Sequence, residues 1–146
     1  MYFPNRILIV EDEELLADNL KAYLGRRAAD VRIALDAEAA LEMLDSFTPD
    51  LVVLDYALPG IDGLRAYSQI VQASLQPPSC IMISGYLSDL MAEDARLRGI
   101  RHTLCKPFSF AELQNAIDLS AEEDGADSAI THRRYPERRN QRLQLV

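Results

Sequence analysis

The chain has 146 residues and a net charge of −8, and its length suits one domain that buries a single core without metal or disulfide support. Residues 1–130 carry 22 acidic and 10 basic side chains, whereas residues 131–146 carry one acidic and five basic. Because residues 1–130 carry such an excess of negative charge, they repel nucleic acid, which disfavours direct nucleic-acid binding by the globular part. No apolar run approaches the ~20 residues of a membrane span, and the N-terminus lacks the apolar core of a signal peptide, so we expect a cytoplasmic protein without a membrane partner.

Short apolar runs alternate with longer segments whose apolar residues recur at helical spacing, a pattern typical of repeated strand–helix units. The predicted strands cover, in chain order, residues 6–10, 30–35, 51–54, 80–84 and 101–105. The predicted helices cover about residues 13–26, 36–46, 63–74, 87–98 and 109–121. Strands one, three and four are apolar without alternation, as in central strands covered by helices on both faces. The sequence therefore predicts an α/β fold built on a doubly wound parallel sheet.

The two cysteines of the chain, Cys80 and Cys105, both lie in predicted strands. Each stands beside apolar residues, which is typical of a buried thiol. We therefore expect two reduced, buried thiols rather than a disulfide or a metal-binding pair.

Polar residues stand at the carboxyl ends of four predicted strands. They are Glu11, Asp12, Asp55, Ser84 and Lys106. Parallel strands present their carboxyl ends at one edge of the sheet, where doubly wound sheets bind their ligands. Helix capping explains any one of these residues alone, but it does not explain three carboxylates, a hydroxyl and an ammonium at one edge. The sequence therefore predicts a functional site there.

The chemistry of these side chains indicates a metal ion and a phosphoryl group. Clustered carboxylates repel one another unless a cation neutralises them, and oxygen-only ligands favour a hard ion such as Mg²⁺. With the ion held by Asp12, Asp55 and a backbone carbonyl, the second oxygen of Asp55 is free to act as a nucleophile, and carboxylates do form aspartyl phosphates. Ser84 and Lys106 then supply donors for the phosphoryl oxygens.

The segment after Asp55, YALPGIDG, is rich in turn-forming residues. Pro59, Gly60 and Gly63 are interpreted as loop residues that turn the chain sharply away from the strand. Such a loop leaves the carboxylate of Asp55 accessible to a ligand.

Four motifs occur in order along the chain: ILIVEDE, LVVLDYALPGIDG, IMISG and KPF. With them the sequence resembles, over about residues 5–120, the receiver domain of two-component response regulators. The resemblance implies a flavodoxin-like (βα)5 fold with a five-stranded parallel sheet in the order 2-1-3-4-5. It also implies a signalling phosphoacceptor that promotes its own phosphorylation and dephosphorylation, rather than a conventional enzyme.

The resemblance further implies roles for individual residues. Asp55 matches the aspartate that receives a phosphoryl group from a sensor histidine kinase or a histidine phosphotransfer protein. Ser84 matches the phosphate-binding hydroxyl, and Lys106 matches the lysine of the family. The implied cofactor is Mg²⁺, and its ligands are Glu11, Asp12, Asp55 and the carbonyl of Ala57.

We expect two regions in the chain. Residues 5–121 form the receiver domain, and residues 122–146 form an acidic linker and an Arg-rich tail with no output domain. The expected protein is a stand-alone response regulator that signals through a downstream protein target, and a phosphorylation-dependent homodimer is left open as a further partner. The tail is interpreted as a solvated charged segment, with an adaptor for nucleic acid or a membrane surface as the alternative.

Two other classes of protein compete with this interpretation. A haloacid-dehalogenase-like phosphatase also uses an aspartate nucleophile and Mg²⁺, but it needs a second aspartate two residues later, where this chain has Ala57. A degenerate receiver would serve only as a protein-binding module. The complete set of acidic pair, acceptor, hydroxyl and lysine argues against that alternative.

Thr103 departs from the family pattern, because receivers usually carry Phe or Tyr three residues before the lysine. A threonine buries too little area to act as an aromatic lever, so we expect another side chain to report the state of the site. Tyr86, two residues after Ser84, is open to two interpretations. Its ring either shields the acyl phosphate from water or merely packs on the first turn of the fourth helix.

Overall fold

Strands whose apolar residues do not alternate lie at the centre of the sheet. The computed structural model describes residues 3–122, and its five parallel strands run in the order β2-β1-β3-β4-β5. The strands are β1 Arg6–Val10, β2 Asp30–Ala34, β3 Leu51–Asp55, β4 Ser79–Ser84 and β5 His102–Cys105. The predicted doubly wound α/β fold and its strand order are confirmed.

Helices cover both faces of the sheet. They are α1 Glu14–Leu24, α2 Ala37–Met43, α3 Gly63–Gln72, α4 Asp89–Leu97 and α5, which spans 110–122, where the described part of the chain ends. Several predicted helices extended one to three residues too far at one or both ends. No helix among the described residues is long and apolar enough to cross a membrane.

Successive strand residues point to opposite faces and so build two cores. On one face, Leu8 and Val10 pack in a cluster with residues of α2 and α3. On the other face, Ile7 and Ile9 pack with residues of α1 and α5. The apolar residues of the central strands therefore all find a partner layer, which is why these strands show no polar alternation.

The two cysteines occupy different environments. Cys80 in β4 is buried and free, as predicted, and its burial raises the pKa of the thiol far above the usual range. Cys105 is exposed, so the prediction of a buried thiol there is wrong. The reason is its position, because Cys105 is the last residue of an edge strand and its neighbours on that side are few.

The turn after β3 depends on two glycines that play different parts. Gly60 adopts a φ of +87°, which only glycine tolerates readily. Gly63 is the first residue of α3, which confirms the predicted start of that helix and contradicts the interpretation of Gly63 as a loop residue. A Cβ atom on Gly63 would lie 2.5 Å from the backbone oxygen of Asp55, so glycine lets α3 start directly against the end of β3.

We expect Gly63→Ala to destabilise the fold by about 1–3 kcal/mol, since the backbone of β3 must shift to admit the methyl group. Gly85→Ala is the matched control, because a Cβ there meets nothing within 4 Å, and its effect should stay within about 0.5 kcal/mol. Equilibrium unfolding in urea measures both. Equal unfolding free energies for the two variants would contradict the close packing of α3 on β3.

Candidate functional site

The carboxyl edge of the sheet carries all the side chains that the sequence placed there. Glu11 and Asp12 follow β1, Asp55 ends β3, Ser84 ends β4 and Lys106 follows β5. The strand register holds these ends level, with Val10 opposite Leu54 and Ser84 opposite Cys105. The side chains of Glu11 and Asp55 are buried, with exposed fractions of 1% and 3%, whereas Asp12 is exposed.

Lys106 places its ammonium group between the buried carboxylates. Its Nζ lies 3.1 Å from Oε1 of Glu11 and 3.3 Å from Oδ2 of Asp55. A third carboxylate, Glu13, is 3.7 Å away. The backbone N–H of Lys106 donates to the carbonyl of Ser84 at 2.7 Å, which fixes the start of the side chain beside β4. The ammonium therefore gives the carboxylate of Asp55 and the carboxyl group of Glu11 a partner that they would otherwise lack in the buried site.

Glu13 was not predicted as part of the site. Its side chain makes no helix-capping hydrogen bond, although the residue occupies the position before α1. Its backbone N–H donates instead to Oε2 of Glu11 at 3.1 Å. The run of four acidic residues, Glu11 to Glu14, was the available signal in the sequence, but spacing alone does not show which of them reach the lysine.

The carboxylates of Glu11, Asp12 and Asp55 form a group that fits a cation. Each offers one oxygen, and these oxygens all lie within 4.8 Å of one another. Oε1 of Glu11 is buried and accepts no hydrogen bond of normal geometry within the described residues, although the ammonium of Lys106 lies beside it. A group of oxygen-only donors around two buried acids suits a hard divalent cation such as Mg²⁺.

Ala57 lies close to this carboxylate group through its backbone. Its N–H donates to Oδ1 of Asp55 at 3.3 Å, so the loop after β3 folds back over the end of the strand. This bond holds Oδ1 towards the loop, while Oδ2 faces Lys106. The two oxygens of Asp55 thus have different neighbours, as a carboxylate with two functions requires.

Burial and charge perturb the pKa values of two groups. Burial raises the pKa of Glu11 to about 7; the charge of Asp55 adds to this effect, while the Glu13 N–H and Lys106 oppose it. Burial lowers the pKa of Lys106, but its contacts with Glu11 and Asp55 outweigh burial and raise the pKa above its usual value. Lys106 is therefore a cation throughout the physiological range.

Ser84 and Tyr86 form a tight turn at the end of β4. The hydroxyl of Ser84 donates to the carbonyl of Tyr86 and accepts from the N–H of Tyr86 at 3.1 Å. The side chain of Tyr86 is 73% exposed. So large an exposed fraction contradicts packing on the first turn of α4, while shielding of an acyl phosphate stays a prediction.

Thr103 lies in β5 opposite Met82 and is half-buried. Its neighbour His102 begins the strand, at the end far from Lys106. Neither residue reaches the carboxylate group, since the acidic side chains lie beyond the opposite end of the strands. The departure at Thr103 therefore lies away from the carboxylate group.

A strand order of 2-1-3-4-5 with an acidic group, a hydroxyl and a lysine at the carboxyl edge defines a class of signalling domain. The family model of the response regulator receiver domain matches residues 7–118, and the chain belongs to this family. In the family an aspartate accepts a phosphoryl group, the acidic pocket binds Mg²⁺, and histidine kinases or phosphotransfer proteins are the partners.

Curated relatives are transcriptional regulators. The chain is 34% identical over 118 residues to the transcriptional regulatory protein PdtaR of Mycobacterium tuberculosis, covering 80% of this chain and 57% of that protein. It is 40% identical over 110 residues to the transcriptional regulatory protein CutR of Streptomyces coelicolor, covering 74% of this chain and 49% of that protein. The chain thus spans about half the length of these relatives.

Solved structures of receiver domains share the fold. The signal receiver domain of a putative Luxo repressor protein from Vibrio parahaemolyticus superposes with a TM-score of 0.76 at 25% identity, covering 88% of this chain and 98% of that one. A CheY-like receiver domain protein from Methanospirillum hungatei gives 0.69 at 25% identity, covering 82% and 98%. In both comparisons this chain covers nearly the whole of the other receiver domain.

The raised pKa of Glu11 predicts that the metal-free protein loses stability as the pH rises. The folded state retains a proton on Glu11 up to about pH 7, whereas the unfolded chain releases it near pH 4.5. The contribution of Glu11 to the free energy of unfolding is therefore full below pH 4.5, falls as the pH rises, and is lost once the pH has passed 7. The loss is on the order of 3 kcal/mol for complete ionisation.

Urea unfolding in EDTA at pH 5 and pH 8 measures this loss. Glu11→Gln should flatten the pH dependence, and Glu42→Gln, at an exposed position in α2, controls for the removal of one acid. An unchanged pH dependence in Glu11→Gln would show that Glu11 ionises as readily in the folded protein as in the unfolded chain.

Proposed function

We propose that Asp55 accepts a phosphoryl group in a Mg²⁺-dependent reaction and that the receiver then signals through contacts with a downstream protein. The observation that carries the proposal is the environment of Asp55. Asp55 is 3% exposed, and its carboxylate is one of the group that could hold a cation and lies 3.3 Å from the ammonium of Lys106. A carboxylate in this position would have a bound metal ion on one side and has the ammonium donor of Lys106 on the other.

The transfer step forms one bond and breaks one. An oxygen of Asp55 forms a bond to phosphorus, while the bond from phosphorus to the donor's leaving atom breaks and its electron pair departs with the donor. From a phosphohistidine the leaving atom is a ring nitrogen, so the partner histidine is regenerated. Asp55 reacts as its carboxylate, and no proton has to leave it.

The other side chains stabilise the charge that arrives with the phosphoryl group. Lys106 already lies beside Asp55 and can donate to a phosphoryl oxygen without a large movement. The hydroxyl of Ser84, at the end of the adjacent strand, is the second donor. Glu11, Asp12, Asp55 and the carbonyl of Ala57 would hold Mg²⁺, which when bound neutralises phosphoryl oxygens during transfer.

A phosphatase of the haloacid-dehalogenase type remains a poorer interpretation. Such an enzyme requires an acid/base aspartate two residues after the nucleophile, and Ala57 stands there with its N–H bonded to Asp55. A receiver that only binds other proteins would not need the buried acids Glu11 and Asp55 beside Lys106, because burying charged groups lowers the stability of the fold.

The partners that we propose follow from family membership. A sensor histidine kinase or a histidine phosphotransfer protein supplies the phosphoryl group, and the names of the relatives support an output in transcription control. The receiver domain is proposed for residues 5–121. The linker and the Arg-rich tail predicted for residues 122–146 lie almost wholly outside the described residues, so their role and the stand-alone arrangement stay predictions.

Asp55→Asn should abolish labelling by radiolabelled acetyl phosphate, because the amide lacks the nucleophilic carboxylate. EDTA should abolish labelling of the unaltered protein, because the phosphoryl charge is then not neutralised. Asp62→Asn is the matched control: Asp62 lies in the same loop, caps α3 through Arg65, and should retain full labelling. Undiminished labelling of Asp55→Asn would refute Asp55 as the acceptor.

Mg²⁺ should stabilise the unphosphorylated protein, since a cation that binds only the folded acidic group acts by mass action. At a concentration ten times Kd the gain is about 1.4 kcal/mol. Asp12→Ala should lose the gain, whereas Asp18→Ala, at an exposed position on α1, should keep it. Thermal unfolding with and without Mg²⁺ measures both, and an Asp12→Ala protein that still responds fully would exclude Asp12 as a ligand.

A further inference from the structure

A cavity of about 320 Å³ lies at the amino edge of the sheet, where β4 and β5 begin and α5 ends. Residues from these three elements line it, among them Ser79, Arg101, His102 and Ser120. Its volume is at the lower end of the roughly 300–1,000 Å³ that is typical of ligand pockets. The carboxylate group lies beyond the opposite ends of the strands, so this cavity is separate from the candidate phosphorylation site.

Buried contacts hold the walls of the cavity in place. Tyr67 of α3 is 4% exposed, and its hydroxyl donates to the carbonyl of Pro78 at 2.8 Å, which ties the loop before β4 to the helix. The N–H of Ser79 donates to the carbonyl of Asp50 at 3.1 Å, and Cys80 is buried in β4. The cavity is therefore a built feature of the fold rather than a gap between loose side chains.

The lining of the cavity is basic, although the body of the protein is acidic. Arg101 and His102 both line it, and none of the described lining residues is acidic. Residues 1–130, by contrast, carry 22 acidic and 10 basic side chains. A guanidinium group presents donors that match the geometry of a carboxylate. The lining therefore favours an occupant that carries carboxylate groups.

The chain itself supplies such an occupant directly after α5. Ser120 lines the cavity, and Glu122, where the described part of the chain ends, follows two residues later. The acidic segment, which we define as residues 122–127, reads EEDGAD and contains four acidic residues and no basic one. An extended residue spans up to ~3.6 Å, so a few residues are enough to bring these carboxylates to the lining.

Covalent attachment strengthens a contact that would be weak between separate molecules. A partly exposed ion pair alone contributes little to stability. A partner held by a short stretch of chain, however, is present at an effective concentration on the order of millimolar. The acidic segment therefore has an advantage over any free acidic peptide for this cavity.

We propose that the acidic segment docks in the cavity at the amino edge of the sheet and that Arg101 binds its carboxylates. Docking there fixes the point from which residues 131–146, with their five basic side chains, continue. That point lies at the edge of the sheet opposite Glu11 and Asp55, whose negative charge would attract a basic tail. The inference does not rest on the proposed function, because it involves no residue of the carboxylate group.

The test is paramagnetic NMR of the isotopically labelled full chain with a nitroxide just beyond the acidic segment. Ser128→Cys supplies the attachment site, and Cys105→Ser removes the exposed thiol, while Cys80 stays buried. The readout is the broadening of the amide signals of Ser79 and Gly99, which line the cavity. Docking should broaden both signals several-fold more than in the same protein carrying Arg101→Glu.

Arg96→Glu is the matched control. Arg96 is exposed in the last turn of α4 and reverses the same charge outside the cavity lining. The broadening at Ser79 and Gly99 should therefore stay complete in this variant. Equal broadening in the starting protein and in Arg101→Glu overturns the proposal.

Reversing the charge on both sides separates docking from damage to the fold. Lysine at all four acidic positions should remove the broadening, and adding Arg101→Glu to these changes should restore it, which a misfolded protein would not do. A failure to recover overturns the proposal. The four substitutions are Glu122→Lys, Glu123→Lys, Asp124→Lys and Asp127→Lys.

A mixed sample tests whether the occupant comes from a second copy of the chain. It combines isotopically labelled protein without nitroxide and unlabelled protein with nitroxide. Docking within one chain predicts no broadening at Ser79 or Gly99 in this mixture. Broadening as strong as in the singly labelled chain would show that the segment reaches a neighbouring copy, and it would overturn the proposed docking.

Discussion

Two buried acids, Glu11 and Asp55, share one ammonium group at the carboxyl edge of the sheet. The site therefore has more acidic groups than positive charges, and its other features follow from that imbalance. Burying an uncompensated charge is costly, so the fold must supply partners. Lys106 supplies one cation for two acids, with Glu13 and Asp12 adding further negative charge at the rim. The site is therefore built to accept more positive charge.

The buried apolar strands stabilise the fold that holds these charges together. Both faces of β1 and β3 are covered by helices, and the side chains of Leu8, Val10 and Val53 are buried on one face or the other. A rigid sheet fixes the strand ends, so the acids stay close together although they repel.

The fold and the convergence of the site residues could be predicted because parallel strands end at a common edge. Once the strands were recognised, Asp55, Ser84 and Lys106 had to lie at that edge, and the strand order implied by the family resemblance put β3, β4 and β5 side by side. Which of Glu11 and Asp12 is buried could not be predicted in the same way, since the two residues are neighbours of the same chemical type. Only the direction of each side chain makes the first buried and the second exposed.

Contacts that depend on how far a side chain reaches, or on how closely two backbone segments approach, also could not be predicted from the sequence. The contact of Glu13 with Lys106 depends on a flexible side chain that leaves its capping position unused. The need for glycine at position 63 depends on how closely α3 meets the carbonyl of Asp55. The double hydrogen bond between Ser84 and Tyr86 depends on the shape of a turn that many sequences could form.

The contrast between the two cysteines gives the molecule a natural attachment point. Cys80 lies inside β4 and is closed to reagents, while Cys105 is exposed one residue before Lys106. A maleimide dye or a spin label added to the folded protein should therefore attach at a single position. That position lies next to the lysine on β5, so spectroscopic distances could be measured from it in the unaltered sequence.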